Sequence, residues 1–534
     1  MNNPKKNPRI ISLLLLLILP ALTVAAGQRL MTIAGPSWLG ENLDPTYLYL
    51  MNSLNMANLH RPYYTDHPGT PIQSIGAVAI RGLNPTGSQT DRAQAVVRDP
   101  EKYVRLINGL LVLLTGLAVL VTGYIARSVF QSLPLALMIQ ATPFFSMTTL
   151  QGLTQLRPEP LLIGLAMLVV GIALLAIKSE EEKDQRYAIA FGVVIGFALS
   201  AKINFVPVAI LPLVLIRSWK GRLIFCVTAG AAFVLSIFPI LNRSLLTQMF
   251  GFIVNTAGHT GRYGSGQAGF IDPARYVAAL VTLVKGDLIF FLLVVLSVLA
   301  LLAQVKFKFI DRRSWRCLLG VTAAEIFQLL LVAKHPAARY LIPSLALLGL
   351  NAALLAAAVK TRLNQTGQWG AIAAVLLLFA IIQIPAAKNL IAQMTAEANR
   401  QLTAYEELNR DYPGVPVATY YTASAPAYAL SFGAGYSGNL YGAIMQQTYP
   451  NQFFYNPWTG KFLNYLGPVD VATVTGSHPW FILRGCSLSD PDFKIFLPPN
   501  PIPDNVKIEP LRNTNIDRPG LVDCEAIYRA TVQK

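Results

Sequence analysis

Along the first 386 positions, mostly apolar stretches of about 18 to 24 residues alternate with polar connections. A helix of that length crosses a hydrocarbon core of about 30 Å. The pattern predicts about eleven crossings, at 10–26, 103–126, 129–150, 160–177, 187–200, 205–216, 221–241, 287–303, 316–333, 340–359 and 369–386. Two long polar connections interrupt the rhythm, at 27–102 and 242–286. From about residue 387 the apolar runs shrink to strand length, as in "VPVATYY" and "WFILRG". The expected fold is therefore mainly α, a polytopic membrane domain over 1–386 followed by a soluble α/β domain over 387–534 that opens with a long helix.

Helical spacing recurs inside the first long connection. Tyr47, Leu50, Met51 and Leu54 fall at i, i+3, i+4 and i+7, and Ile72, Ile75 and Ala79 repeat the pattern. These predict two amphipathic helices lying on the membrane surface, joined by "TDHPG". The second connection carries "NTAGHTGRYGSGQAGF", which has no apolar period, and then a surface helix "DPARYVAALVTLV".

Composition sharpens the class. Hydrophobic residues make up 53% of the chain and charged ones 13%, with a mean hydropathy of +0.46, far from the balance of a soluble domain. The net charge of +16 does not call for nucleic acid, because the excess Lys and Arg fall largely in every second short connection. That is the positive-inside pattern, and with an odd number of crossings it puts the C-terminal domain outside the cytoplasmic membrane. The first apolar run follows "NPKKNPR" and ends in "TVAAGQ", so a cleaved signal peptide competes with a retained anchor. Cys486 and Cys524 both fall in the external tail, where an oxidising compartment would let them pair.

Several residues could carry chemistry. Asp44 and Glu41 stand at the external end of the first span, where a carboxylate could deprotonate an acceptor or the two could take a divalent cation. The competing reading is local: Asp-Pro is the signature of a helix start, and it recurs at Asp99-Pro100 and Asp272-Pro273. His67, in a proline-stiffened link beside Asp66, could meet a phosphate or exchange a proton, or could simply be a turn residue. Arg157 and Glu159 in "LTQLRPEPLL" stand at the external mouth of a span. Arg105, Lys202, Lys334, His335 and Arg339 lie at external ends, where positive-inside predicts few cations, and such a set suits an anionic lipid headgroup. Glu325 falls near the middle of a span, where it could serve a function or share a hydrogen bond with Gln328 or a neighbouring helix. Nucleotide-binding, zinc-protease and serine-hydrolase motifs are absent from the sequence.

These motifs, in this order, resemble the GT-C glycosyltransferases, closest to the branch of protein O-mannosyltransferases and lipid A aminoarabinose transferases. "HPGTP" is similar to that branch's His/Lys-Pro-Pro-Leu, "LRPEPLL" to its Arg-Pro-Asp/Glu element, and "KHPAARYLIPSLALL" to its Arg-Tyr-Leu-x-Pro segment. The resemblance covers residues 10–386 in layout. It implies an inverting hexosyl- or pentosyltransferase that moves a sugar from a polyprenyl-phosphate donor to a lipid, glycan or protein acceptor outside the membrane. It would make Asp44 the catalytic or acceptor-orienting carboxylate, put His67 near the donor phosphate, line the cavity with Arg157 and Glu159, and hold the lipid phosphate with Arg339 and Tyr340. The charge pattern adds Arg105, Lys202 and Lys334 to the phosphate set. Two positions depart from the family pattern: Pro45 replaces the Glu of Asp-Glu, and Gly69 replaces the second proline. A polysaccharide polymerase or ligase, and a multi-pass transporter or flippase, remain as alternative readings. No nucleic-acid partner is expected.

Overall fold

A computed structural model describes residues 8–179, 184–258, 273–308, 310–334, 336–360, 365–494, 497–513 and 525–533. Along the chain come α1 (Pro8–Ile33), α2 (Leu43–Ala57), α3 (Thr70–Leu83), α4 (Gln89–Arg98) and α5 (Pro100–Phe130). The short α6 (Leu133–Gln140) and α7 (Met147–Gly152) precede α8 (Pro158–Lys178), α9 (Asp184–Ala201), α10 (Ile210–Leu215), α11 (Trp219–Ser236) and α12 (Arg243–Gly258). There follow α13 (Pro273–Gly286), α14 (Leu288–Phe307), α15 (Arg312–Val332), α16 (Ile342–Leu345), α17 (Leu348–Lys360) and the 47-residue α18 (Gln365–Asp411).

Among the described residues, 7 helices are long and apolar enough to cross a membrane, or 8 if the bent pair Ala338–Leu345 and Leu348–Ala358 is one span. Three of the eleven expected crossings fall short, each for a local reason. The stretch 129–150 breaks at Gln131, which is left-handed at φ 50, and again around Pro134 and Pro143. The stretch 205–216 contains Pro207 and Pro212 and yields a 3-10 turn (Ile203–Ala209) and the six-residue α10, because proline removes a helix donor and clashes with the preceding turn. The stretch 187–200 does form a helix, α9, but Asp184 and Arg186 in its first turn dilute its apolar character. α9 instead packs closely on α11: a Cβ on Gly196 would stand 2.2 Å from the carbonyl oxygen of Ala229.

The two expected surface helices exist as α2 and α3, but α2 does not lie with one face on a membrane. It is buried on all sides, Asn52, Ser53 and Asn55 included. Burying Leu50, Met51 and Leu54 is worth roughly 1.5–3 kcal/mol each. Two of its asparagines bond to backbone: Asn52 Oδ1 accepts from the N–H of Tyr63 at 2.6 Å, and Asn55 Nδ2 donates to Ser437 O at 2.9 Å. Apolar periodicity shows that a helix has a buried face, not what covers the other one.

The covering element belongs to the C-terminal region. α18 runs without interruption from an apolar first half through Pro385 into a more polar second half. After it, α19 (Pro426–Gly435) presses on α2 so closely that a Cβ on Gly433 would lie 2.6 Å from Tyr47 O. Beyond lies a mixed sheet of β1 (Val417–Thr419), β2 (Phe453–Asn456), β3 (Lys461–Asn464), β4 (Gly467–Val469), β5 (Trp480–Cys486), β6 (Val506–Asn513) and β7 (Glu525–Val532). Its order is β4-β3-β2-β1-β5-β7-β6, with β1 parallel to both β2 and β5, Ala418 standing opposite Phe453 and Leu483, and the remaining pairs antiparallel. Cys486 is disulfide-bonded, while its expected partner Cys524 lies outside the described residues.

Candidate active site

The link "DHPGT" between α2 and α3 is pinned at both ends of a tight turn. The N–H of Gly69 donates to Ser200 O at 2.9 Å, and the N–H of Ile203 donates to His67 O at 3.1 Å. The link is thereby laced to the point where α9 ends and Lys202 turns into the 3-10 segment. Gly69 sits at φ 77, and a Cβ there would stand 2.7 Å from the Tyr49 ring. Only glycine meets both conditions without strain, which accounts for the departure from a second proline.

Under this link lies a charged core. Lys202 Nζ donates to Glu159 Oε1 at 2.6 Å, with the two residues 5% and 2% exposed. Arg157 Nε lies 3.7 Å from the second oxygen of the same carboxylate, too far for a hydrogen bond. Burying both charges costs several kcal/mol per ion, and a short paired contact is what offsets it. Lys202 Nζ also lies 4.8 Å from the centre of the Tyr340 ring, and the Arg339 guanidinium lies 5.5 Å from that centre. Tyr340 is fixed from behind, since its carbonyl accepts from Gln328 Nε2 at 2.8 Å and from Asn204 Nδ2 at 3.3 Å. His67 is within electrostatic reach of Lys202, Glu159 and Arg339. Burial, followed by Lys202, holds its imidazole down at about 3, so it is neutral at neutral pH.

Asp44 stands on the wall of this core. Its backbone is non-helical, at φ −101 and ψ 120, so α2 is kinked there, and Asn42 ahead of it makes no side-chain cap bond. Among the described residues its carboxylate caps nothing. Its side chain is exposed to solvent, with protein crowded around it. That crowding raises its carboxyl above the ordinary value, and Arg339 pulls it back. Tyr428 of α19 is close enough to feel its charge.

Aromatic rings join the two halves of the chain beside His67. Tyr64 meets His67, Tyr49 and Tyr436 edge to face, with ring centres 6.1, 5.4 and 6.3 Å apart. Sequence patterning singles out none of these tyrosines, because a tyrosine at helical spacing reads as ordinary core.

Arg105 is 43% exposed at its side chain and lies 3.8 Å from Glu101 on its own helix. Lys334 is buried just beyond the end of α15. The side chain of Glu41 and the whole of His335 lie outside the described residues. Glu325 accepts from Asn351 Nδ2 of α17 at 2.6 Å, so its partner is the neighbouring helix and not Gln328. Among the described residues no group of three or more His, Cys, Asp or Glu side chains could hold a metal ion.

No protein-family model matches the sequence, and no curated protein does. Two solved structures align along nearly the whole chain. ArnT from Cupriavidus metallidurans bound to undecaprenyl phosphate is 12% identical with a TM-score of 0.48, covering 98% of this chain and 98% of its own. The apo state of the same protein is 14% identical with a TM-score of 0.45, covering 95% and 97%. Likeness at that level carries no functional argument, and the reading below rests on the site's own geometry.

Proposed function

We propose that the chain is a membrane glycosyltransferase of GT-C type that moves a sugar from a polyprenyl-phosphate donor to an acceptor on the extracytoplasmic side. The observation that carries this reading is an exposed carboxylate within electrostatic reach of Arg339, which in turn shares the Tyr340 ring with Lys202. Asp44 is an accessible carboxylate released from capping, and beyond it Arg339, Lys202 and Arg157 supply cations around a single buried Glu159.

In the proposed reaction an acceptor O–H or N–H attacks the anomeric carbon while the bond from that carbon to the phosphate oxygen breaks. The electron pair goes to the phosphate, and the acceptor's proton goes to Asp44. A carboxylate whose affinity for protons is raised by crowding is a better base for this step. The departing phosphate gains charge and needs fixed cations, which Arg339 can supply bidentately and Lys202 through the donors that Glu159 leaves unused. Neutral His67 can donate to a phosphate oxygen without adding charge. In this reading the pieces 133–152, 184–201 and 203–215 complete the layout to eleven crossings. The C-terminal region then faces outward, and α19 lies over the acceptor side.

The test is transfer in membranes containing the full chain, supplied with a panel of radiolabelled polyprenyl-phosphate sugars, alongside vector-only membranes. The expected result is donor-dependent transfer of label that excess unlabelled polyprenyl phosphate suppresses. Absence of transfer above the vector control, together with no saturable binding of polyprenyl phosphate to the purified protein, would overturn it.

A further inference from the structure

The C-terminal sheet buries an ion pair between two of its own strands. Arg484 Nε and Glu525 Oε1 are 2.5 Å apart on the neighbouring strands β5 and β7, with side chains 1% and 3% exposed. A buried pair is a poor stabiliser in itself, because desolvation cancels much of its attraction. Its contacts show what it holds.

Two paths leave the pair, and both end on the turn that precedes Asp44. On the first, Glu525 Oε1 also accepts from the N–H of Ser424 at 3.0 Å, and Ser424 Oγ accepts from the N–H of Gly40 at 3.0 Å. Gly40 opens the 3-10 turn Gly40–Asn42, is left-handed at φ 45, and leaves room for a Cβ only 2.8 Å from Gln401 Nε2 of α18. On the second, the Arg484 guanidinium lies 5.5 Å from the centre of the Tyr405 ring, and Tyr405 packs on Trp38 with centres 5.1 Å apart. Trp38 and Gly40 are therefore linked to the same buried pair by separate routes, through Tyr405 and through Ser424, while Gln155 Nε2 grips Asn42 Oδ1 from the helical side.

We propose that the Arg484–Glu525 pair, acting through Ser424 and Tyr405, is the positioning device for the turn that carries Asp44. The C-terminal region is then part of the catalytic apparatus and not only a recognition module. This rests on the reading of Asp44 as the reacting carboxylate, and the test keeps the two claims apart.

In the full-length protein in lipid nanodiscs, Ser424→Ala keeps the N–H that Glu525 accepts and removes the hydroxyl that accepts from Gly40 and makes a long 3.5 Å contact to Gln401 Oε1. Hydrogen–deuterium exchange over residues 38–46 should rise by about fivefold to tenfold, the scale of one lost buried hydrogen bond, with strand 480–486 unchanged. Transfer kcat should fall roughly tenfold with the donor KM unchanged, as for a displaced reacting group. Ser424→Thr should restore both. Lys507→Gln, which removes the exposed pair with Glu509 in the same sheet, should change neither. Unchanged exchange over 38–46 in Ser424→Ala overturns the proposal, and so does a loosened turn with kcat unaltered. If the wild type transfers no sugar the transferase reading fails, and the exchange result still decides whether the network holds the turn.

Discussion

Asp44-Pro45 and Asp99-Pro100 are the same dipeptide at the same kind of position, the entrance to a helix, and they do different things. Asp99 is exposed, and its carboxylate accepts from the N–H of Lys102 at 3.2 Å in an ordinary cap. Asp44 sits at a kink with its carboxylate capping no N–H, within electrostatic reach of Arg339 and Tyr428 instead. The dipeptide is the same in the two cases, and what surrounds Asp44 is set by tertiary neighbours about 300 and 380 residues further along the chain. A helix-start signature thus identifies a carboxylate that can cap, and only its surroundings show whether it is free for something else.

The contrast can be broken or sharpened at several sites. The largest effect is expected at Lys202→Met, which leaves Glu159 buried without its 2.6 Å partner and should cost about 3–5 kcal/mol, read as a lowered Tm in detergent. Adding Glu159→Leu to that variant should recover much of the loss, and failure to do so would mean that the pair is not what stabilises this part of the bundle.

Next comes pH. His67 is held at about 3 against an ordinary 6.5, so between those values the unfolded chain binds a proton that the folded one refuses. Its contribution to stability is fully present above pH 6.5 and is lost progressively as pH falls towards 3. The drop in Tm from pH 7.5 to 5 should be smaller in His67→Asn than in the wild type; an equal drop would remove His67 from the buried core.

Asp99→Ala should cost about 1 kcal/mol and leave transfer untouched, as a cap and nothing more. Smallest of all, Arg105→Gln removes an exposed contact and should shift stability by less than about 0.5 kcal/mol with no change in donor binding. A large loss of donor affinity there would return Arg105 to the phosphate set.

Much of this arrangement could be read in the sequence, and its limits follow from physics. Hydropathy located α1, α5, α8, α11, α14 and α15 because a membrane-crossing helix must be apolar over its whole length. The same measure merged 129–150 into one crossing, since it does not register the breaks at Gln131, Pro134 and Pro143. Charge at unexpected ends singled out Lys202 and Arg339, which do converge, and Arg105, which does not. What no local pattern carries is pairing. Nothing near Glu159 points to Lys202 in preference to Arg157 two residues away, and nothing near Gly40 points to Ser424, 384 residues along the chain.

The central claim is that Asp44 is chemical where Asp99 is structural, and the most direct test is sugar transfer by Asp44→Asn and Asp99→Asn side by side. Asparagine caps a helix about as well as aspartate, so both variants should fold with a Tm close to wild type. The account predicts that Asp44→Asn loses transfer by roughly 10²–10⁴-fold while Asp99→Asn keeps it, the range expected for a missing general base. Full activity in a well-folded Asp44→Asn would contradict it and place the base elsewhere.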